Sequence, residues 1–246
     1  MRIGKSSNPI LNADRLRTIT DSYNSEGVMT VNGTINKTLI LFGILFASAF
    51  LTWQNVNETN FFIFIVGGII GGLVAAIITA FKPVWSAITA PIYALFEGMA
   101  LGALSQFYSN FMDGIVVRAI GLTLAILFVM LALYRSGVLR ATPKFKKGVI
   151  VATAGVFFFY LLNWIGSWFG FGLSLGNMGW LGIGIQFAIV VIASMNLVLD
   201  FDSIENGAES SLPKYAEWYS AFGLMVTLVW LYMEMLRLLA LLSGRD

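Results

Sequence analysis

The chain has 246 residues, 58% of them hydrophobic and only 11% charged, with a net charge of +2 and neither cysteine nor histidine. A soluble domain carries about 25% charged residues, so the composition reads as an all-α, polytopic membrane protein, and so small and scattered a basic excess offers no nucleic-acid surface. Disulfides, thiolate or imidazole metal sites, Ser-His or Cys-His catalysis and a histidine pH switch are all excluded, leaving proton chemistry to carboxylates.

Residues 1–37 read as a polar N-terminal tail, too long and too polar ahead of the first apolar run to be a cleavable signal peptide. Residues 38–246 then form one membrane domain with seven apolar runs, near 38–54, 61–81, 84–108, 115–134, 148–169, 178–200 and 217–242. Each lies close to the roughly 20 residues needed to cross a hydrocarbon core. The first is short, and only Lys82 and Pro83 separate the second from the third. Basic residues orient the spans: with the N-terminus in the cytoplasm, twelve of the fifteen Lys and Arg fall in inner segments and only Arg245 falls outside. The expectation is therefore N-in and C-out.

In the second run, Gly67, Gly68, Gly71 and Gly72 make two small-xxx-small pairs, the pattern of close helix packing. The third run carries Glu97, with Pro91 placed to kink the helix. Arg118 falls inside the fourth run, and Glu234 and Arg237 inside the seventh. An ionisable group at such depth costs roughly 2.5–3.5 kcal/mol even on lenient scales, so each is a functional candidate. At 100° per residue, Gly182, Gln186, Ala193, Asn196 and Asp200 share an arc of about 80° on the sixth span. Ser220, Gly223, Thr227, Trp230 and Glu234 share a similar arc on the seventh. Packed face to face, these polar seams would bring their acids into one interior. Such carboxylates can share a proton or admit a hard cation such as calcium. Two roles stand open for Arg237: counter-charge to a working site, or a structural i, i+3 partner of Glu234. Asp202, Glu205 and Glu209 read as a solvated helix face, and with Glu217 they extend the inner junction into the cytoplasm.

The segments PIYALFEGMALGALS in span three, LVLDFDSIENGAE at the end of span six and LVWLYMEMLRLL in span seven resemble the Bax inhibitor family of seven-span membrane proteins, most of all its bacterial branch. The resemblance implies a bacterial inner-membrane location and a pH-sensitive calcium leak with a pair of intramembrane acids on the last two helices as sensor and gate. Carried over by motif, the span-six acid is Asp200, the span-seven acid is Glu234 and the span-three acid is Glu97, with calcium expected at Asp200 and Glu234. The span-seven acid is here Glu instead of Asp, and D-F-D stands where the family has D-T-Q. Residue counting sets Asp200 near the inner boundary and Glu234 nearer mid-membrane. The two meet only if span six continues inward past Asp202 or span seven starts later.

Two functions follow as expectations. One is a calcium or proton leak channel, or a cation/proton exchanger, in which Asp200 and Glu234 sense, Glu97 lines the path and Arg118 or Arg237 supplies counter-charge. The other is a non-transporting regulator that binds a membrane protein such as a membrane-bound protease through the N-terminal tail and the acidic inner loop. An enzyme is not expected, because no G-x-G-D motif and no histidine supports intramembrane proteolysis. No cofactor is implied.

Overall fold

A computed structural model describes residues 27–244. Seven helices follow one another: α1 (Val31–Asn55), α2 (Phe61–Phe81), α3 (Ser86–Phe111), α4 (Ile115–Arg135), α5 (Pro143–Trp168), α6 (Trp180–Glu209) and α7 (Ala216–Ser243). All seven are long and apolar enough to cross a membrane. Large apolar side chains such as Leu39, Phe62, Ile88 and Phe128 are left exposed on the outside of the bundle, as a hydrocarbon solvent allows.

The helix starts follow local chemistry. Thr30 caps α1 by accepting the Gly33 N–H, and Thr142 caps α5 ahead of Pro143 by accepting the Phe145 N–H. Gly114, at φ +70°, makes the left-handed turn from which α4 begins. α3 stays helical across Pro91, which lies only in its second turn.

Two boundaries differ from the hydropathy reading. α1 begins at Val31, so 31–37 of the expected tail is helical; Thr34, Asn36 and Lys37 lower the hydropathy there without breaking the helix. Residues 1–26, with most of the tail, and Arg245 lie outside the described residues. α6 runs nine residues past Asp200, to Glu209, which leaves only residues 210–215 to connect it to α7. The long acidic loop is therefore mostly helix.

Burial grades the helices. In its most apolar stretch α7 is 56% buried and α5 only 11%, which makes α7 the centre of the bundle and α5 its periphery. α3 is wedged between α1 and α2 by glycines. A Cβ on Gly98 would stand 2.5 Å from the Leu45 carbonyl of α1, and one on Gly102 would stand 2.3 Å from that of Ala49. On the other side a Cβ on Gly68 would stand 2.7 Å from the Phe96 carbonyl and one on Gly71 2.5 Å from the Phe96 ring, whereas Gly67 faces open space. Three of the four expected packing glycines thus touch α3, and the pair on α3 itself does the same work against α1.

Candidate functional site

The two polar seams do meet, but their residues sort into separate sites. At the rung farther from the α6–α7 connection, Glu234 is 1% exposed and accepts from four donors. Tyr160 of α5 (2.8 Å) and Gln186 of α6 (2.7 Å) donate to Oε2, and Trp230 (3.0 Å) and Arg237 (3.2 Å) donate to Oε1. Gln186 also donates to the Glu234 backbone carbonyl at 3.0 Å, and the Arg237 guanidinium lies over the Tyr160 ring at 5.0 Å. A carboxylate can be buried this way because charge-assisted bonds replace its water on every side.

Asp200 is the contrasting case. Its residue is half-buried, yet its Oδ2 is sealed from solvent and has no hydrogen-bond partner. Its polar neighbour is Thr227 of α7. In antiparallel helices each Cβ tilts toward its own N-terminus, so Asp200 and Thr227 reach back toward one another. No hydrogen bond or ion pair among the described residues joins Asp200 to Glu234.

The reason is depth. The extension of α6 meets the condition set by residue counting, and the offset survives it. Asp200 lies nine residues from the end of α6 and Glu234 eighteen from the start of α7, a difference of roughly 13 Å at 1.5 Å per residue. Nor do any three acids among the described residues gather into a metal site. The expected two-carboxylate calcium cage is not assembled.

The other candidates are elsewhere. Glu97 of α3 faces α2: a Cβ on Gly72 would stand 3.2 Å from its Oε2, and Tyr93 is its polar neighbour. Arg118 sits in the first turn of α4, exposed, donating to the Asp113 carbonyl at 3.3 Å. Asn196 leaves the seam as well, since it donates to Thr153 of α5 at 2.8 Å.

Nor do the acids around the α6–α7 connection form one solvated face. Asp202 pairs with Lys146 and accepts from Asn206, and Glu205 accepts from the Tyr134 hydroxyl, while Glu209 stays exposed. Lys146, Thr153 and Tyr160 thus form a seven-residue repeat of polar contacts that stitches α5 to α6 and α7, with Val149 and Val156 buried between them.

Glu217, expected among the cytoplasmic acids, is fully covered. Its cover is thin and lies at the rim of the bundle. Thr30 gives Oε1 both its backbone N–H and its hydroxyl, each at 3.0 Å; Lys214 binds Oε1 at 2.7 Å and Lys37 approaches Oε2 at 3.4 Å. Gly33 makes room for it, since a Cβ there would stand 1.8 Å from Oε1. The Met29 N–H donates to the Leu212 carbonyl at 2.7 Å and Val28 bridges Pro213, so residues 28–30 form a strap across the α6–α7 connection. The sequence carried one signal of this, an acid in the first turn of α7 opposite a Thr-capped helix with Lys37 about two turns past the cap.

A seven-helix bundle with acids on its last two helices is the architecture that the three quoted segments led one to expect. The chain matches the family model for Bax inhibitor 1 like proteins over residues 8–244. It belongs to the Bax inhibitor 1 like family. Comparison with curated proteins and with solved structures gives no match. The match spans all seven helices, including the acid-bearing stretches of α6 and α7. Within those stretches Glu234 has its donors supplied and Asp200 has almost none.

Proposed function

We propose that this Bax inhibitor 1 like protein is a pH-sensitive cation leak, with calcium or protons as cargo, in which Asp200 is the responsive group and the Glu234 network is a closure on its outer side. The observation that carries the reading is the buried Asp200 Oδ2 without a partner. At membrane depth an anionic carboxylate with no cationic neighbour attracts a cation, and a protonated one does not. Acidification therefore lowers flux. One carboxylate and the Thr227 hydroxyl supply few of the 6–8 oxygens that calcium prefers, which favours passage over tight binding. Glu97, between α2 and α3, is left out of this path, and so is Arg118.

Above Asp200, the Tyr160, Gln186, Trp230 and Arg237 side chains converge on Glu234 and fill the seam. The basic residues support an N-terminus in the cytoplasm; in that orientation the strap and Asp200 would lie on the inner side of the proposed bacterial inner membrane and Glu234 on the outer.

Calcium flux into dye-loaded liposomes tests the reading. Asp200→Asn abolishes the pH dependence and lowers flux, because the charge that recruits the cation is gone. Glu234→Gln raises basal flux and keeps the pH profile, because Arg237 loses its ion pair and the closure loosens. Wild-type flux with the same pH profile in Asp200→Asn overturns the assignment. Absence of flux in the wild-type protein leaves the non-transporting regulator as the better reading.

A further inference from the structure

A groove of about 1000 Å³ runs along one side of the bundle, walled by α1 and α4 and floored by α3, α6 and α7. Its lining extends from Val31 to Trp53 on α1 and from Val116 to Arg135 on α4, so it is about 30 Å long at 1.5 Å per residue. That is the thickness of a hydrocarbon core. The lining is almost wholly apolar, and Leu39, Phe50 and Phe128 are exposed along it, which opens it toward the bilayer. Water has no partners in such a space, and interiors close-pack too well to leave it empty. At this depth the available filler is an acyl chain.

One end of the groove has different chemistry. It continues through Tyr134, Arg135 and Glu205 into a second cavity of about 440 Å³ that Arg140, Thr142 and Asp202 also line. Both acids there already have donors: Tyr134 for Glu205, and Lys146 with Asn206 for Asp202. The two guanidiniums are free of ion pairs among the described residues, and Arg140 spends only its Nε, on the Gly137 carbonyl. The carbonyls at the end of α4, which would repel an anion, are capped by the N–H groups of Ser136, Gly137 and Leu139. Thr142 adds the N-terminal end of α5. The mouth thus offers planar, uncommitted cationic donors, which suit phosphate oxygens.

We propose that the α1–α4 groove is a binding site for one anionic glycerophospholipid of the surrounding bilayer, with an acyl chain along Phe42, Phe46 and Leu127 and its phosphate held by Arg135 and Arg140. Phosphatidylglycerol is the probe. Native mass spectrometry of the detergent-purified full chain, titrated with phosphatidylglycerol or with phosphatidylcholine of the same chains, reads its occupancy. The wild-type protein retains one phosphatidylglycerol in preference to phosphatidylcholine. Replacing both guanidiniums (Arg135→Gln with Arg140→Gln) weakens phosphatidylglycerol by about tenfold or more, the value of one to two charge-assisted bonds, and leaves phosphatidylcholine unchanged. Leu124→Trp, which fills the groove, weakens both lipids. Both arginines are exposed, so the double variant folds whatever becomes of the groove variant. Equal retention of the two lipids by the wild-type protein, or unchanged preference in the double variant, overturns the proposal. Competition by glycerol phosphate as strong as by the lipid overturns it too, because the groove then contributes nothing.

Discussion

The two halves of the bundle are held by different forces. α1, α2 and α3 meet at glycines whose missing side chains let backbone approach backbone, and the contacts are dispersion between close-packed atoms. α5, by contrast, buries little beyond Val149 and Val156 and is joined to α6 and α7 through polar side chains at 146, 153 and 160. Close packing has one solution and transmits strain. Hydrogen bonds at the edge of a bundle can be exchanged for others at small net cost. The polar joint of α5 against α6 and α7 is therefore the seam that can be exchanged at least cost, while α7 stays buried at the centre of the bundle.

Substitutions break or sharpen that contrast in order of size. Glu234→Ala has the largest effect, about 3–5 kcal/mol, since it strands Gln186, Tyr160 and Arg237 at once; thermal unfolding in detergent shows it as the greatest drop in midpoint. Gly102→Ala comes next, at about 1–3 kcal/mol, because its Cβ meets a backbone carbonyl that cannot turn aside. Tyr160→Phe removes one bond from the peripheral helix and costs about 1 kcal/mol. Hydrogen exchange should then rise in α5 and not in α3; a uniform rise across both helices would mean that the two halves open as one. Gly67→Ala is the smallest change and has the opposite sign, a gain of up to about 1 kcal/mol from helix propensity, since nothing lies within 4 Å of the new methyl. A loss there as large as that at Gly102 would remove the distinction between packed and unpacked glycines.

How much of this was legible in the sequence depends on the range of the interaction. Span count and helical class follow from run length and hydropathy, which are local, and the Gln186 and Glu234 seams follow from helical period. The depth offset between Asp200 and Glu234 was foreseen by counting, and counting also posed the question that the extension of α6 answered. Polar content hid that extension: Asp202, Glu205 and Asn206 lower hydropathy while their partners Lys146 and Tyr134 come from other helices. Glu217 was misplaced for the same reason. An acidic junction looks solvated until Thr30, from the far end of the chain, is known to cover it. The repeat of Lys146, Thr153 and Tyr160 was visible in the sequence, but three polar residues of different type at a seven-residue spacing do not announce a seam. Gly98 and Gly102 lie inside PIYALFEGMALGALS, where the glutamate is the chemically conspicuous residue.

The strap has a consequence for how the protein is made. Thr30 and Glu217 are 187 residues apart, so the bonds that secure the start of α1 cannot form until the last helix has left the ribosome. Six helices must wait in the bilayer with the Thr30 N–H unanswered and Gly33 facing a gap. Contacts of such long sequence separation form late and slowly, which makes arrival of α7 the step that closes the bundle at both ends of the chain. A nascent chain halted before residue 217 would present its first helix to the membrane's quality-control machinery as an unfinished one.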